Sequence, residues 1–211
     1  MPRGKHTSRY TVSVLSRPMT PAGERLLATA SDLFYRRGIR AVGVDLIAEQ
    51  AGTTKKTLYD RFGSKDNLVA LYLRARFERW QAFVDERLAL VEPGQGQVLA
   101  AFDVLAEWLA DNTRGCAFVN ANAEIDRTDH PAMAVVHAEK RWMRARYERL
   151  VHDAGLPSTL GAHLHLLHEG AIVATTAGAQ DDAVANARSA ARTLLAAALS
   201  ATGPGGSLVG R

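Results

Sequence analysis

The chain is 211 residues long, 47% hydrophobic and 23% charged, with a formal net charge of +4. Those proportions exclude a fibrous or disordered chain and fit a soluble globule, either one large domain or a small head on a larger body. A lone cysteine, Cys116, excludes an intrachain disulfide, and no apolar run approaches the roughly 20 residues of a membrane helix, so the expected setting is a reducing cytoplasm with no membrane contact.

Residues 1–20 carry Arg3, Lys5, His6, Arg9 and Arg17 without apolar periodicity and read as a flexible basic arm. The arm has no apolar core of a signal peptide. It is a leader, an extension upstream of a start at Met19, or a basic arm for the minor groove of DNA. From Ala22 to Gly38, Leu26, Leu27, Ala30, Leu33 and Phe34 form a helical stripe. Ile47, Ala48 and Ala51 then give a short helix one small apolar face, and Gly52 supplies the left-handed residue that ends it. Thr54 is placed to cap the next helix, in which Leu58 and Phe62 sit four apart and face inward. Lys55, Lys56, Thr57, Tyr59 and Arg61 are left outside, near the positive end of the helix dipole. Donors massed there suit a polyanion, and a helix fits the DNA major groove. Helix, glycine turn and cationic helix together read as a helix-turn-helix.

Charge supports that reading. Residues 1–80 hold 15 Lys/Arg against 7 Asp/Glu, whereas residues 81–211 hold 11 against 15. A basic head on an acidic body is expected when only the head meets nucleic acid.

The run from Ile47 to Leu68, with its Leu58-Tyr59 pair, Phe62 and the Ser64-Lys65-Asp66 start of the next helix, resembles the tetracycline-repressor (TetR) family of transcriptional regulators. The likeness extends upstream through the Ala22–Gly38 stripe and covers about the first third of the chain. It implies an N-terminal three-helix head, residues 21–66, and a helical ligand-binding and dimerisation body, residues 67–202. It also implies that Tyr59 and Lys65 touch the phosphate backbone, with Val44 and Thr54 beside them. Where the family usually carries Thr or Ser, this chain has Gly43, which offers no hydroxyl to a phosphate, although backbone N–H groups there can still face DNA. At the start of the recognition helix Lys55 and Lys56 suit guanine, and the Thr57 methyl suits a thymine methyl.

Beyond the head, breakers divide the chain into further helices. The expected spans are 65–91, about 97–112, a short segment from Cys116 to Ile125, about 132–154, 158–178 and 181–201, followed by a glycine-rich tail, 203–211. No stretch demands a strand, so the fold class is all-α with about nine helices. Neither Gly94-Gln95-Gly96 nor the tail has the context of a nucleotide loop, and no cofactor is expected.

The body combines apolar and aromatic residues with a few polar anchors, the usual make-up of a small-molecule site. The candidate lining is Phe102, Trp108, Phe118, Asn120, Trp142, Met143, Tyr147 and His165. The Arg114–Asn120 segment and the Asp129-His130-Pro131 turn also resemble a common TetR branch. His165, His168 and Glu169 share a helix face while His163 points away, which is short of a metal site, and no metal is expected. The last two helices are loaded with Gly and Ala, and the family resemblance implies that they pair with their copies in a homodimer, matching two half-sites of a palindrome. The function expected is therefore a DNA-binding regulator, most simply a repressor released from a palindromic operator in double-stranded DNA by a small, largely apolar ligand. A DNA-organising protein without ligand control and a His/Glu metal-dependent enzyme carrying a DNA-binding head are the competing readings.

Overall fold

The computed structural model describes residues 19–202, so the arm before residue 19 and the tail after 202 lie outside the described residues. The described residues form nine α-helices and no strand. They are α1 (Pro21–Arg37), α2 (Val44–Gln50), α3 (Lys55–Phe62), α4 (Lys65–Leu88), α5 (Gln95–Asp111), α6 (Ala117–Glu124), α7 (Pro131–Asp153), α8 (Thr159–Thr176) and α9 (Ala183–Thr202).

Two compact units emerge, one made of residues up to 79 with Ala117–Ala138, the other of Trp80–Cys116 with residues from 139 onward. In the first unit, α1 begins with a local device: the Thr20 side chain accepts from the Gly23 N–H at 3.2 Å, and Pro21 occupies the first turn. Leu26, Ala30, Leu33 and Phe34 of α1, Ile47 and Ala48 of α2, Leu58 and Phe62 of α3, and Leu68, Val69 and Leu73 of α4 are all buried, and the Phe34 ring lies 5.8 Å from that of Tyr72 in α4. Burying Leu58 and Phe62 contributes on the order of 1.5–3 kcal/mol each, which fixes the face that α3 leaves to solvent. Gly52 ends α2 at φ +61°, and the Thr53 N–H reaches back to the Ala48 carbonyl at 2.9 Å. A side chain at that φ is strained.

The same unit holds α6 and the start of α7. Glu124 accepts from the Arg40 backbone N–H at 2.8 Å, and the Arg40 side chain donates to the Glu124 carbonyl at 2.6 Å and to Asp126 at 3.0 Å. Arg127 and His130 both reach Asp66, at 3.0 and 3.3 Å. Burial lowers the pKa of His130, against the pull of Asp66.

The second unit packs one apolar core from Trp80, Val84 and Leu88 of α4, Phe102 and Leu105 of α5, Met143 and Tyr147 of α7, Leu164 and Ile172 of α8, and Ala187, Ala191 and Leu195 of α9. Gly161 permits a close approach there: a Cβ on it would lie 2.8 Å from the Glu148 Cα, so α8 crosses α7 with no room for a side chain.

Several helix ends differ from the sequence reading by two or three residues. α4 stops at Leu88 rather than 91, because Leu90 and Val91 form i→i+3 turn bonds and the Gln97 side chain takes the Leu88 carbonyl at 2.8 Å. α8 stops at Thr176 and α9 begins at Ala183, with Ala179 at φ 51° in the connection. Among the described residues no helix is long and apolar enough to cross a membrane.

Candidate nucleic-acid interface and ligand site

The geometry of α3 follows from its first four residues. Thr54 is extended at φ −113°, ψ 153°, and its hydroxyl accepts from the Thr57 N–H at 3.1 Å. The two threonine hydroxyls are also 2.9 Å apart. This cap leaves the N–H groups of the first turn facing outward with the Lys55 and Lys56 side chains, both exposed. Neither lysine is idle. Lys55 Nζ pairs with Asp45 at 3.1 Å and Lys56 Nζ with Asp60 at 2.6 Å, which raises the Lys56 pKa. The i,i+4 spacing of Lys56 and Asp60 was visible in the sequence, and the acidic partners were the part overlooked there.

Tyr59 is 42% exposed on the same helix. Arg61 is half-buried, its guanidinium 3.7 Å from Met19 Sδ. Val44, the first residue of α2, is half-buried, and its Gly43 cap makes no side-chain hydrogen bond. Lys65 is less available than its position implies: Nζ donates to the Ile39 carbonyl at 2.6 Å and lies 5.9 Å from the centre of the Phe34 ring. Burial lowers its pKa. Two of its three N–H groups remain for another acceptor.

The eight candidate ligand residues divide between the units. Phe118 and Asn120 belong to α6 in the first, where Phe118 meets Phe77 edge-on with ring centres 6.2 Å apart. The other six belong to the second. Phe102, Met143 and Tyr147 are buried in its core, while Trp108, Trp142 and His165 are half-buried. Trp108 lies 5.0 Å from Trp80 and 5.1 Å from Phe83, ring centre to ring centre. Tyr147 packs on Phe102 at 5.7 Å, and its hydroxyl is 3.1 Å from His168 Nδ1. Burial pushes the Tyr147 pKa up and the His168 pKa down, the latter to about 3, so His168 is neutral at ordinary pH. His163 is exposed and points away from this set, as its spacing implies, and among the described residues no group of three or more His, Cys, Asp or Glu side chains is arranged to hold a metal ion.

One position must be corrected. Small-residue periodicity makes Ala191 a candidate for the seam between two copies of the chain, but it is 0% exposed and packs within the core of its own unit. The residues that α8 turns to solvent are instead Leu166, 67% exposed, Gly170, and Val173, 51% exposed, and α9 exposes Ser189, Ala196 and Leu199. Hydrophobic spacing locates a stripe on a helix of small residues, yet it cannot say which of two apolar faces is inside.

A short helix, a glycine turn and a threonine-capped helix with an outward cationic face define a helix-turn-helix regulatory protein. Comparison with known proteins agrees. Residues 26–72 match the family model described as bacterial regulatory proteins, tetR family. The structure aligns with that of a TetR-family transcriptional regulator from Streptomyces coelicolor at a TM-score of 0.76 and 29% identity, covering 90% of this chain and 98% of that one. A putative TetR regulator from Streptomyces avermitilis gives 0.71 and 29%, covering 85% and 98%. Among curated proteins, the HTH-type transcriptional activator FasR of Mycolicibacterium smegmatis is 27% identical over 139 residues, 64% of this chain and 63% of that protein. The HTH-type transcriptional repressor KstR2 of the same organism is 34% identical over 94 residues, 42% and 46%. The matches thus span less than two thirds of these curated relatives. Residues 26–72 are thus the DNA-binding head of the bacterial TetR family, and the described fold is shared with TetR-family transcriptional regulators.

Proposed function

We propose that the protein is a cytoplasmic, sequence-specific repressor that binds a palindromic operator as a homodimer and leaves it when a small ligand enters the body. The observation that carries the DNA-binding part is the exposed face of α3, where Lys55, Lys56, Thr57 and Tyr59 surround a capped helix N-terminus. The lysines already hold carboxylates through exposed pairs, which are weak and exchange readily for phosphate or base acceptors. In this reading Lys55 and Lys56 read guanines, Thr57 meets a thymine methyl, and Tyr59, Arg61, Thr54, Val44 and Lys65 set the register on the backbone. Residues 21–66 act as the head and residues 67–202 as the body.

Dimerisation is supported by exposed apolar side chains on helices otherwise rich in small residues. Leu166 and Val173 are seven residues apart on α8 with Gly170 between them, a stripe suited to close helix approach across a two-fold axis. Both roles occur among the curated relatives, KstR2 being a repressor and FasR an activator; release by ligand, as in the repressor reading, needs only that the heads lose their fit to DNA. Ligand acts by its differential affinity for a conformation in which the two recognition helices no longer fit adjacent grooves.

The test is to measure operator affinity and molecular mass together for the full chain and for Leu166→Asp. The reading expects the variant to lose both dimer mass and tight operator binding while the thermal melt is retained. A variant that becomes monomeric yet binds the operator as tightly would overturn it. Binding that ignores sequence would instead favour a DNA-organising protein.

A further inference from the structure

The second unit buries a charged cluster that DNA binding does not use. Lys140 of α7 stands at its centre. Its Nζ donates to both carboxylate oxygens of Glu169, at 2.8 and 2.9 Å, and to Cys116 Sγ at 3.4 Å. The same nitrogen is 3.2 Å from Glu139 Oε2 but outside hydrogen-bond geometry. That oxygen is buried with no hydrogen-bond partner among the described residues, on a side chain only 5% exposed. His165 Nε2 lies 3.5 Å from Glu169 Oε1.

Two carboxylates therefore crowd one ammonium. The two carboxylates respond differently. Burial holds Glu139 above the usual carboxylate range, whereas for Glu169 the bonds from His165 and Lys140 outweigh burial and bring it down to about 2. A buried carboxylate with an unused acceptor is costly unless a proton or a donor meets it. Beside the cluster lies an aromatic wall. His168, adjacent to Glu169 in α8, has its ring 6.2 Å from Trp80 and 5.6 Å from Tyr147, and Trp80 continues into Trp108 and Phe83.

We propose that this cluster is a cation-recognition site for an aromatic or apolar amine, whose ammonium N–H groups are taken by Glu139 Oε2 and whose body lies against the Trp80–Phe83–Trp108 rings. The inference rests on the sensor reading of the body and narrows its largely apolar ligand to one with a protonated amino group. An ammonium supplies a well-directed donor to that oxygen and a second positive charge to the two carboxylates, and aromatic faces favour cations. A hydroxyl supplies only the donor. A carboxylate would bring a third acid group to the same ammonium. A metal ion is the poorer occupant, because the Lys140 ammonium already sits among the oxygens and sulfur it would need.

The test uses one body with three heads: 4-phenylbutylamine, 4-phenylbutan-1-ol and 4-phenylbutyrate, each titrated into the full chain by calorimetry and by tryptophan fluorescence. The amine is expected to bind about tenfold more tightly than the alcohol, as a charge-assisted bond exceeds a neutral one, with the carboxylate weakest. Glu139→Gln keeps the shape of the side chain and should bring the amine to the level of the alcohol. The series on the unaltered chain stands by itself if that variant folds poorly. Equal binding of amine and alcohol, no binding of any probe, or an amine preference unchanged in a folded Glu139→Gln protein overturns the proposal. A carboxylate that binds best and releases DNA overturns the cation site and leaves the sensor reading intact. An amine that binds best without altering operator affinity supports the site and overturns the sensor reading.

Discussion

The two units handle charge in opposite ways. In the first, the lysines of α3 sit on the surface, paired to Asp45 and Asp60 through side chains that are themselves mostly exposed. In the second, Lys140 is enclosed by Glu169, Glu139 and Cys116. Exposed pairs are worth little and are screened by salt, so they yield to a polyanion at small cost. An enclosed pair keeps its geometry, because removing one partner strands the other in a poor solvent. A surface that must bind phosphate needs the first kind of charge, and an interior that must choose among small molecules needs the second.

That contrast can be broken at several points. The largest effect should come from Ala191→Glu, which places an unpaired charge in the core of the second unit. It should lower unfolding free energy by about 3–5 kcal/mol, read by chemical denaturation, and a change near zero would mean that α9 presents this residue to solvent. Lys140→Ala should cost about 2–4 kcal/mol by leaving Glu169 and Glu139 uncompensated. Its surface counterpart Lys55→Ala should stay within about 0.5 kcal/mol. Equal costs for the two lysines would remove the distinction between the units.

A pH profile sharpens the same comparison. Burial holds His168 at about 3, below its unfolded value, so the unfolded chain binds more protons between the two. Stability from this group is complete above about pH 6.5 and is lost as pH falls toward 3, with a slope of up to about 1.4 kcal/mol per unit. His130, also lowered by burial, contributes with the same sign from the first unit. His168→Gln should therefore flatten the profile between pH 6.5 and 4.5 only in part. A profile identical to that of the unaltered chain would show that His168 is not held neutral. The smallest effect is local: Thr54→Ala removes the bond to the Thr57 N–H and should cost about 1 kcal/mol, with operator affinity falling as the α3 N-terminus frays.

Much of the first unit was legible in the sequence because its signals are local. Gly52 must adopt positive φ, Thr54 must accept from Thr57, and Leu58 with Phe62 must share a face, each dictated within a few residues. The all-α class followed from the same kind of periodicity. The second unit was less legible. No local pattern joins Lys140 to Glu169, 29 residues away, or Tyr147 to His168, 21 residues away. The sequence singles out His165, whereas nothing in the local pattern distinguishes Glu139 and Lys140 from other helix charges. The Ala191 misplacement has the same origin, since α9 has alanines on nearly every face and which one is inside depends on α5 and α8.

The most direct test of the account is selection of bound sequences from random duplex DNA by the purified full chain, run beside Lys56→Ala. The account predicts an inverted repeat for the unaltered chain, and for Lys56→Ala the same repeat with preference relaxed roughly tenfold or more at one base pair in each half-site. Enrichment of no sequence, or an identical profile from both proteins, would contradict it.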